Sequence, residues 1–253
     1  MLSTDGSYIL ALARTGTPPA GTRISLARIM SIAGSQPLLR RILDSFVAPR
    51  RLFRDFRESG PWFDVLVIST LVAALAAASL PAEFFLDQMR APVSRMGRPV
   101  QVTSSPHAIV HYGRYLAMIN ALMGHPVVVF ATAGLLALIF TVLGGGLVSF
   151  RAYLAMTAHA FLVPALGTLL ILAAGILVRG HPVEASLTAL VPAAPTWLSV
   201  ALVVLDPFRL WLVALLAVGV GALDERHSAG RAAVILYAVY LVLALGAATF
   251  FTG

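Results

Sequence analysis

Five long apolar runs dominate this sequence, and each is close to the length that crosses a lipid bilayer. They cover about residues 62–80, 126–148, 152–178, 206–223 and 232–251. A helix of roughly 20 apolar residues spans the hydrocarbon core, which is about 30 Å thick. Charged residues make up only 11% of the chain, against about 25% in soluble domains. The sequence therefore predicts an all-α integral membrane protein with five transmembrane helices.

Two residue types are missing, and their absence excludes several kinds of chemistry. The chain contains no cysteine, so disulfides, thiolate catalysis and cysteine-based metal sites are excluded. All 18 basic residues are arginine, which excludes lysine Schiff-base chemistry and a phosphate-loop lysine. The sequence also contains no convincing Ser/His/Asp order or pair of carboxylates on one predicted face. We expect a non-enzymatic protein that needs no cofactor.

The N-terminal tail, residues 1–61, carries most of the net positive charge. It holds nine arginines and four acidic residues, so +5 of the formal charge of +7 lies there. Anionic lipid headgroups attract juxtamembrane arginines by about 1 kcal/mol each. Nucleic acid is a poor partner for a basic segment that is tied to a membrane. We therefore predict that the tail binds membrane lipids.

Two amphipathic segments end this tail, residues 37–47 ("PLLRRILDSFV") and residues 49–60 ("PRRLFRDFRESG"). Apolar residues fall near one helix face in each: Leu38, Leu39, Ile42 and Phe46, then Leu52, Phe53 and Phe56. The charged residues fall on the other faces. In the first segment they are Arg40, Arg41 and Asp44. In the second they include four arginines that we predict to contact headgroups: Arg50, Arg51, Arg54 and Arg57. Such helices lie either in the headgroup plane or against the protein's own cytosolic face, and both placements remain open.

The distribution of arginines predicts the orientation of the spans. A cytoplasmic tail puts twelve arginines inside, namely the nine in the tail with Arg151, Arg226 and Arg231. The other side then holds five: Arg90, Arg95, Arg98, Arg114 and Arg179. We predict a multi-pass protein of the inner (cytoplasmic) cell membrane, with its N-terminus in the cytoplasm and its C-terminus outside. Residues 106–125, in the first outer loop, are expected to lie in the interface.

Several histidines and one proline are candidate functional residues. His107 and His111 share a helix face and His125 follows, but the glutamate of the zinc metalloprotease pattern is missing, so no metal site is predicted. His159 lies inside the third run, where a polar side chain is costly and indicates a function by default. We interpret it as a neutral histidine bonded to a neighbouring helix, with a proton relay as the alternative. Pro164 predicts a kink in that helix.

The stretch "LDPFRLW", residues 205–211, decides where the fourth span begins. One helix over residues 197–223 would be about 40 Å long and would bury Asp206 and Arg209 near its middle, at about 2.5–3.5 kcal/mol per charge. A helix that starts at Asp206 avoids this cost, because Asp206 caps it and Pro207 suits its first turn. Arg209 then pairs with Asp206, and Trp211 lies near the outer headgroups. We predict this boundary, with residues 197–205 as a separate interfacial helix and a buried functional charge pair as the alternative.

Four stretches, in this order, resemble the Yip domain family (Ypt-interacting proteins) in its bacterial form. "FVAPRRLFRDFRESGPW" resembles the segment before that family's first span, and "GGGLVSFRAYLAMTAHAFLVP" resembles its glycine-rich turn and third span. "LDPFRLWLVALLAVGVGAL" resembles its fourth span, and "AGRAAVILYAVYLVLAL" its last. The resemblance implies five spans, a cytoplasmic N-terminus and no enzymatic activity. Eukaryotic relatives act in membrane traffic with small GTPases, a role that does not transfer to a bacterial protein.

Two functions remain open from the sequence. The first is a membrane-organising scaffold that binds lipid and a partner, either another membrane protein or a second copy of this chain. The second is a transporter or permease subunit, in which His159, Pro164, Asp206 and Arg209 line a polar cavity. Water access to His159 separates the two functions.

Glycines at 144–146, 219 and 221 are expected to form turns or to let helices approach closely.

Overall fold

A computed structural model describes residues 37–57, 60–86, 105–179 and 206–252. These ranges contain helices and no strand, so the all-α prediction is confirmed for them. The helices are α1 (Leu38–Val47), α2 (Pro49–Asp55), α3 (Phe63–Ala78), α4 (Pro106–Leu136, continued by a π-helix at Ala137–Leu143), α5 (Phe150–Ala160), α6 (Leu162–Arg179), α7 (Pro207–Leu223) and α8 (Ala229–Thr252). A further helical turn lies at residues 82–86.

Three helical stretches of the described chain are long and apolar enough to cross a membrane. They are Pro106–Leu143, Phe150–Leu177 and Ala229–Gly246, and they identify the chain as a membrane protein. Helices α3 and α7 are also apolar but shorter, with 16 and 17 residues. At 1.5 Å per residue they reach about 24–26 Å, slightly less than the hydrocarbon core. The count of five spans and their orientation stay predictions.

The second apolar run belongs to a helix that is longer than the sequence indicates. A break was expected at Pro126, but α4 begins at Pro106 and continues through Pro126. Ser105 caps its start, since the Ala108 backbone N–H donates to Ser105 Oγ at 3.3 Å. Proline is tolerated inside membrane helices because neighbouring groups satisfy the freed backbone atoms. The expected separation of residues 106–125 from the second run is therefore wrong.

The third apolar run is interrupted where its proline predicts a kink. Helix α5 ends at Ala160 and α6 begins at Leu162. In a regular helix, the ring of Pro164 would clash with the carbonyl group of Ala160, four residues earlier. Thr168 Oγ1 donates to the Pro164 carbonyl oxygen at 2.9 Å, a bond of the kind that often accompanies a bend in a helix.

Helix α5 occupies the centre of the described bundle. Every residue from Ala152 to Ala160 is buried, and α5 packs against α1, α3, α4 and α7. Four of these nine residues are alanine, so the surrounding helices approach the α5 backbone closely. This packing places His159, near the end of α5, deep inside the protein.

Candidate functional site

Asp206 begins α7 as an N-cap, as the sequence predicts. The Phe208 backbone N–H donates to Asp206 Oδ1 at 2.8 Å, and Pro207 occupies the start of the helix. Arg209 Nε lies 3.8 Å from Asp206 Oδ2, so the predicted pair forms across the first turn. The Arg209 side chain is 51% exposed, which makes the pair weak. The boundary at Asp206 is confirmed, whereas residues 197–205 lie outside the described chain.

The Asp206→Ala variant is expected to lose about 1 kcal/mol of unfolding free energy, because the cap bond to Phe208 disappears. Pro207→Ala is the matched control and should change stability little, since an amide at this position has no partner within the helix. Thermal unfolding of the purified protein in detergent measures both variants. Equal losses in the two variants would contradict the capping role of Asp206.

His159 is completely buried, and no part of its side chain is exposed to water within the described structure. Its Nδ1 donates to the Ala155 carbonyl oxygen at 2.7 Å, one turn earlier in α5. The expected bond to a neighbouring helix is thus replaced by a bond within α5. Its Nε2 has no hydrogen-bond partner among the described residues. The ring packs against Phe56, with ring centres 4.8 Å apart, so the geometry favours a core residue over a proton relay.

The other three histidines of the sequence pattern do not form a metal site. His107 and His111 are exposed near the start of α4. His125 Nε2 lies 3.1 Å from Ser69 Oγ, and its ring packs edge-on against Phe161. The described residues contain no group of three histidine or carboxylate side chains that could hold a metal ion.

Helix α1 buries a charged side chain that the sequence places on its outer face. Arg41 and Ser45 are its buried residues, with 5% and 0% exposed, whereas Leu39 is 70% exposed. Arg41 Nη2 forms an ion pair with Asp64 Oδ2, and Arg41 Nη1 lies 3.4 Å from the Pro61 carbonyl oxygen. The predicted face is correct for the half-buried residues Leu38, Ile42 and Phe46. It is wrong for Leu39 and Arg41, because the carboxylate that draws Arg41 inward belongs to a different helix.

Helix α2 packs on the protein through the face that the sequence predicts. Its buried residues, with at most 2% exposed, are Leu52 and Phe53, followed by Phe56 in the next turn. Three of the predicted headgroup arginines are exposed: Arg50, Arg51 and Arg54. The fourth, Arg57, donates from Nε to the Ala222 carbonyl oxygen at 3.3 Å and pairs with Glu225 at 2.9 Å. Helix α2 therefore packs against the protein through its apolar face, and contact of its exposed side with headgroups stays a prediction.

The loop between α7 and α8 forms a polar cluster that periodicity does not reveal. Asp224 accepts from the Arg226 backbone N–H and from His227 Nδ1, both at 3.0 Å. Arg226 Nη1 donates to the Gly145 carbonyl oxygen at 2.6 Å. Gly145 has a φ of +68°, the left-handed region that favours glycine, so the predicted glycine turn is present. We use the name loop cluster for Asp224, Arg226, His227 and Gly145 together with Arg57 and Glu225. The acid, arginine and histidine of "DERH" are the only sequence signal for it.

A groove of about 340 Å³ lies between α4, α6, α7 and α8. Its walls are mostly apolar, and Arg209 and Tyr240 are among its few polar members. Pro164 also lines it, so the fold brings Pro164 and Arg209 together. His159 is not among the lining residues, and its buried surroundings separate it from the groove. The polar cavity expected from His159, Pro164, Asp206 and Arg209 together is therefore not formed by this groove.

The stretches that resemble the Yip family pack against one another in the structure. A Cβ atom on Gly219 of α7 would meet Met156 of α5 and would lie 3.1 Å from Phe53 of α2. No protein-family model, characterised protein or solved structure matches this chain. The Yip assignment therefore stays a prediction. The structure shows a helical bundle with an exposed row of arginines on α2 and an ion pair between the buried Arg41 of α1 and Asp64 of α3.

Proposed function

We propose that this protein is a non-enzymatic membrane scaffold of the Yip type that binds anionic lipid headgroups through α2. The exposure of Arg50, Arg51 and Arg54 on a helix whose other face is buried supports this function. Leu52 and Phe53 hold α2 on the protein, so its arginines are already in position before lipid binds. Binding of headgroups therefore costs less conformational entropy than it would for a flexible tail. Guanidinium groups also match the geometry of phosphate oxygens.

The loop cluster supports the proposed orientation of the bundle. Arg57 contacts the end of α7, and Arg226 contacts the turn between the π-helix and α5. The turn between the π-helix and α5 and the turn between α7 and α8 therefore lie at the same end of the bundle as α2. A chain that crosses the membrane back and forth requires this arrangement. We propose that this end faces the cytoplasm of a bacterial cell, with five crossings and the C-terminus outside.

A transport function has less support from the geometry. A transported ion or polar solute needs a hydrated path, and His159 is shielded from water by residues such as Phe56. The groove beside Arg209 has mostly apolar walls, which suit hydrocarbon better than a polar solute. The scaffold is therefore the function that we propose.

Anionic lipid is expected to stabilise the wild-type protein more than the triple variant Arg50→Gln/Arg51→Gln/Arg54→Gln. Each arginine near an anionic surface contributes about 1 kcal/mol, and salt reduces the effect. We expect the triple variant to lose about 1–2 kcal/mol of this lipid-dependent stabilisation at physiological salt. The measurement is thermal unfolding in lipid nanodiscs of phosphatidylglycerol and, separately, of phosphatidylcholine.

The controls separate headgroup binding from a general effect of lost charge. In phosphatidylcholine the wild type and the triple variant should unfold at similar temperatures, because the three side chains are exposed. Arg114→Gln removes a single exposed arginine of α4 on the proposed outer side and should keep most of the response to phosphatidylglycerol. An undiminished response in the triple variant would rule out α2 as the headgroup site.

A further inference from the structure

Helix α1 carries an apolar ridge on its outer side, formed by Leu39, Leu43 and Val47. These residues are four apart, so they lie on one side of the helix, and they are 70%, 56% and 82% exposed. A helix on a protein surface in water turns such a side inward and its charges outward. Helix α1 instead buries Arg41 and Ser45 and exposes this apolar ridge, although Arg40 beside the ridge is also exposed. This inverted polarity is typical of a helix whose outer side meets an apolar medium.

The contacts of α1 hold the ridge in its outward position. Arg41 pairs with Asp64 in the first turn of α3, and only 6% of the Arg41 side chain is exposed. Ser45 Oγ donates to the Arg41 carbonyl oxygen at 2.9 Å. Phe46 packs edge-on against Trp211 of α7, with ring centres 5.9 Å apart. A rotation of α1 that hid the ridge would break the ion pair and this ring contact.

The position of α1 along the bundle is compatible with membrane depth. Its neighbour Trp211 lies four residues after the start of α7 at Pro207, and 12 residues, or about 18 Å along the helix axis, before the end of α7 at Leu223. The adjacent apolar helix α3 shows the same exposed pattern at four-residue spacing: Phe63, Val67, Leu71 and Leu75, which are 66%, 39%, 57% and 58% exposed. Arg41 of α1 pairs with Asp64, the neighbour of Phe63, so α1 packs beside a helix that also exposes an apolar side.

We propose that the α1 ridge inserts among the acyl chains of the bilayer, so that the outer side of α1 contacts lipid. Amphipathic membrane helices place apolar side chains below the headgroups and arginines level with them. The ridge supplies the apolar part and the exposed arginines of α2 supply the charged part. The inference rests on the proposed function for the headgroup contacts, and it adds acyl chains to the headgroups as ligands.

Spin labelling tests the insertion directly, because the chain has no cysteine of its own. A nitroxide is attached to Leu43→Cys in protein reconstituted into vesicles of phosphatidylcholine and phosphatidylglycerol. Collisions with oxygen, which concentrates in hydrocarbon, are compared with collisions with a water-soluble nickel chelate. We expect oxygen collisions to exceed nickel collisions several-fold, as for Val242→Cys, an exposed position in a candidate span. Arg54→Cys is the control and should show the opposite ratio.

Two results would overturn the insertion. Nickel collisions at the level of Arg54→Cys would place Leu43 in water. Low collision rates with both reagents would show that protein covers the ridge, either a second copy of the chain or residues 1–36. Vesicles of phosphatidylcholine alone separate the two proposals, since the ridge should still insert there. If the ridge fails this test while phosphatidylglycerol still stabilises the wild type through α2, only the insertion is disproved.

Discussion

The Asp64→Leu variant is expected to lose about 3 kcal/mol of unfolding free energy, because it leaves the guanidinium of Arg41 buried without its carboxylate. Breaking a buried ion pair by removing one partner costs about 3–5 kcal/mol. The lower end applies here, since the Asp64 side chain is 39% exposed and the bond from Arg41 to the Pro61 carbonyl remains. Chemical or thermal unfolding of the purified protein, followed by circular dichroism, measures the loss.

The double variant Arg41→Leu/Asp64→Leu should recover most of this stability. Replacing both partners of a buried pair with apolar residues is often neutral or stabilising, because no charge is left without a partner. Arg40→Ala provides a control at the next residue, where the side chain is 58% exposed and lies 3.9 Å from Asp44. It should cost less than about 1 kcal/mol. A loss in Asp64→Leu as small as that in Arg40→Ala would contradict the burial of Arg41.

The Arg41–Asp64 pair connects the stability of the bundle to its proposed lipid contacts. It fastens α1 to α3, and α1 in turn packs against α2, which carries the exposed arginines. Loosening the pair should therefore change how the α2 arginines meet the membrane as well as the unfolding free energy. The double variant keeps apolar packing between α1 and α3 without the two charges, so it separates the need for packing from the need for this charge pair.

Local chemistry explains the features that the sequence predicted correctly. The start of α7 at Asp206 depends on residues within one turn, namely an acid, a proline and the amide of Phe208. The buried face of α2 depends only on the spacing of Leu52, Phe53 and Phe56. In both cases the residues that determine the feature are close in the chain, so the sequence pattern alone predicts it.

Features that depend on distant partners or on the surrounding medium were not predictable in this way. Arg41 faces inward because Asp64, 23 residues later in the chain, meets it there. The loop cluster forms because Arg226 reaches Gly145, 81 residues earlier. Periodicity identifies apolar residues but not what covers them: Leu52 and Phe53 of α2 are buried in the protein, whereas Leu39 of α1 is exposed. No pattern within residues 106–143 shows that Pro126 would be accommodated inside α4.

The Gly221→Ala variant is expected to lose about 2–3 kcal/mol of unfolding free energy. A Cβ atom at this position would lie 2.7 Å from the backbone nitrogen of Ala229 and 2.9 Å from its Cα atom. Backbone atoms cannot rotate aside as a flexible side chain does, so α7 and α8 would have to separate. Overpacking of this kind costs about 1–3 kcal/mol. The same unfolding measurement in detergent quantifies the loss.

Gly134→Ala is the matched control, because it makes the same change inside helix α4 without a steric obstacle. Apart from its chain neighbours and the nearby backbone of α4 itself, no atom of the described residues lies within 4 Å of a Cβ atom added there. Alanine favours the helix over glycine by up to about 1 kcal/mol, so this variant should be neutral or slightly more stable than the wild type. Opposite signs for the two substitutions would show that α7 and α8 meet backbone to backbone at Gly221. If Gly221→Ala is as benign as Gly134→Ala, the two helices are not in that close contact, and the loop cluster at their junction is held by its polar bonds alone.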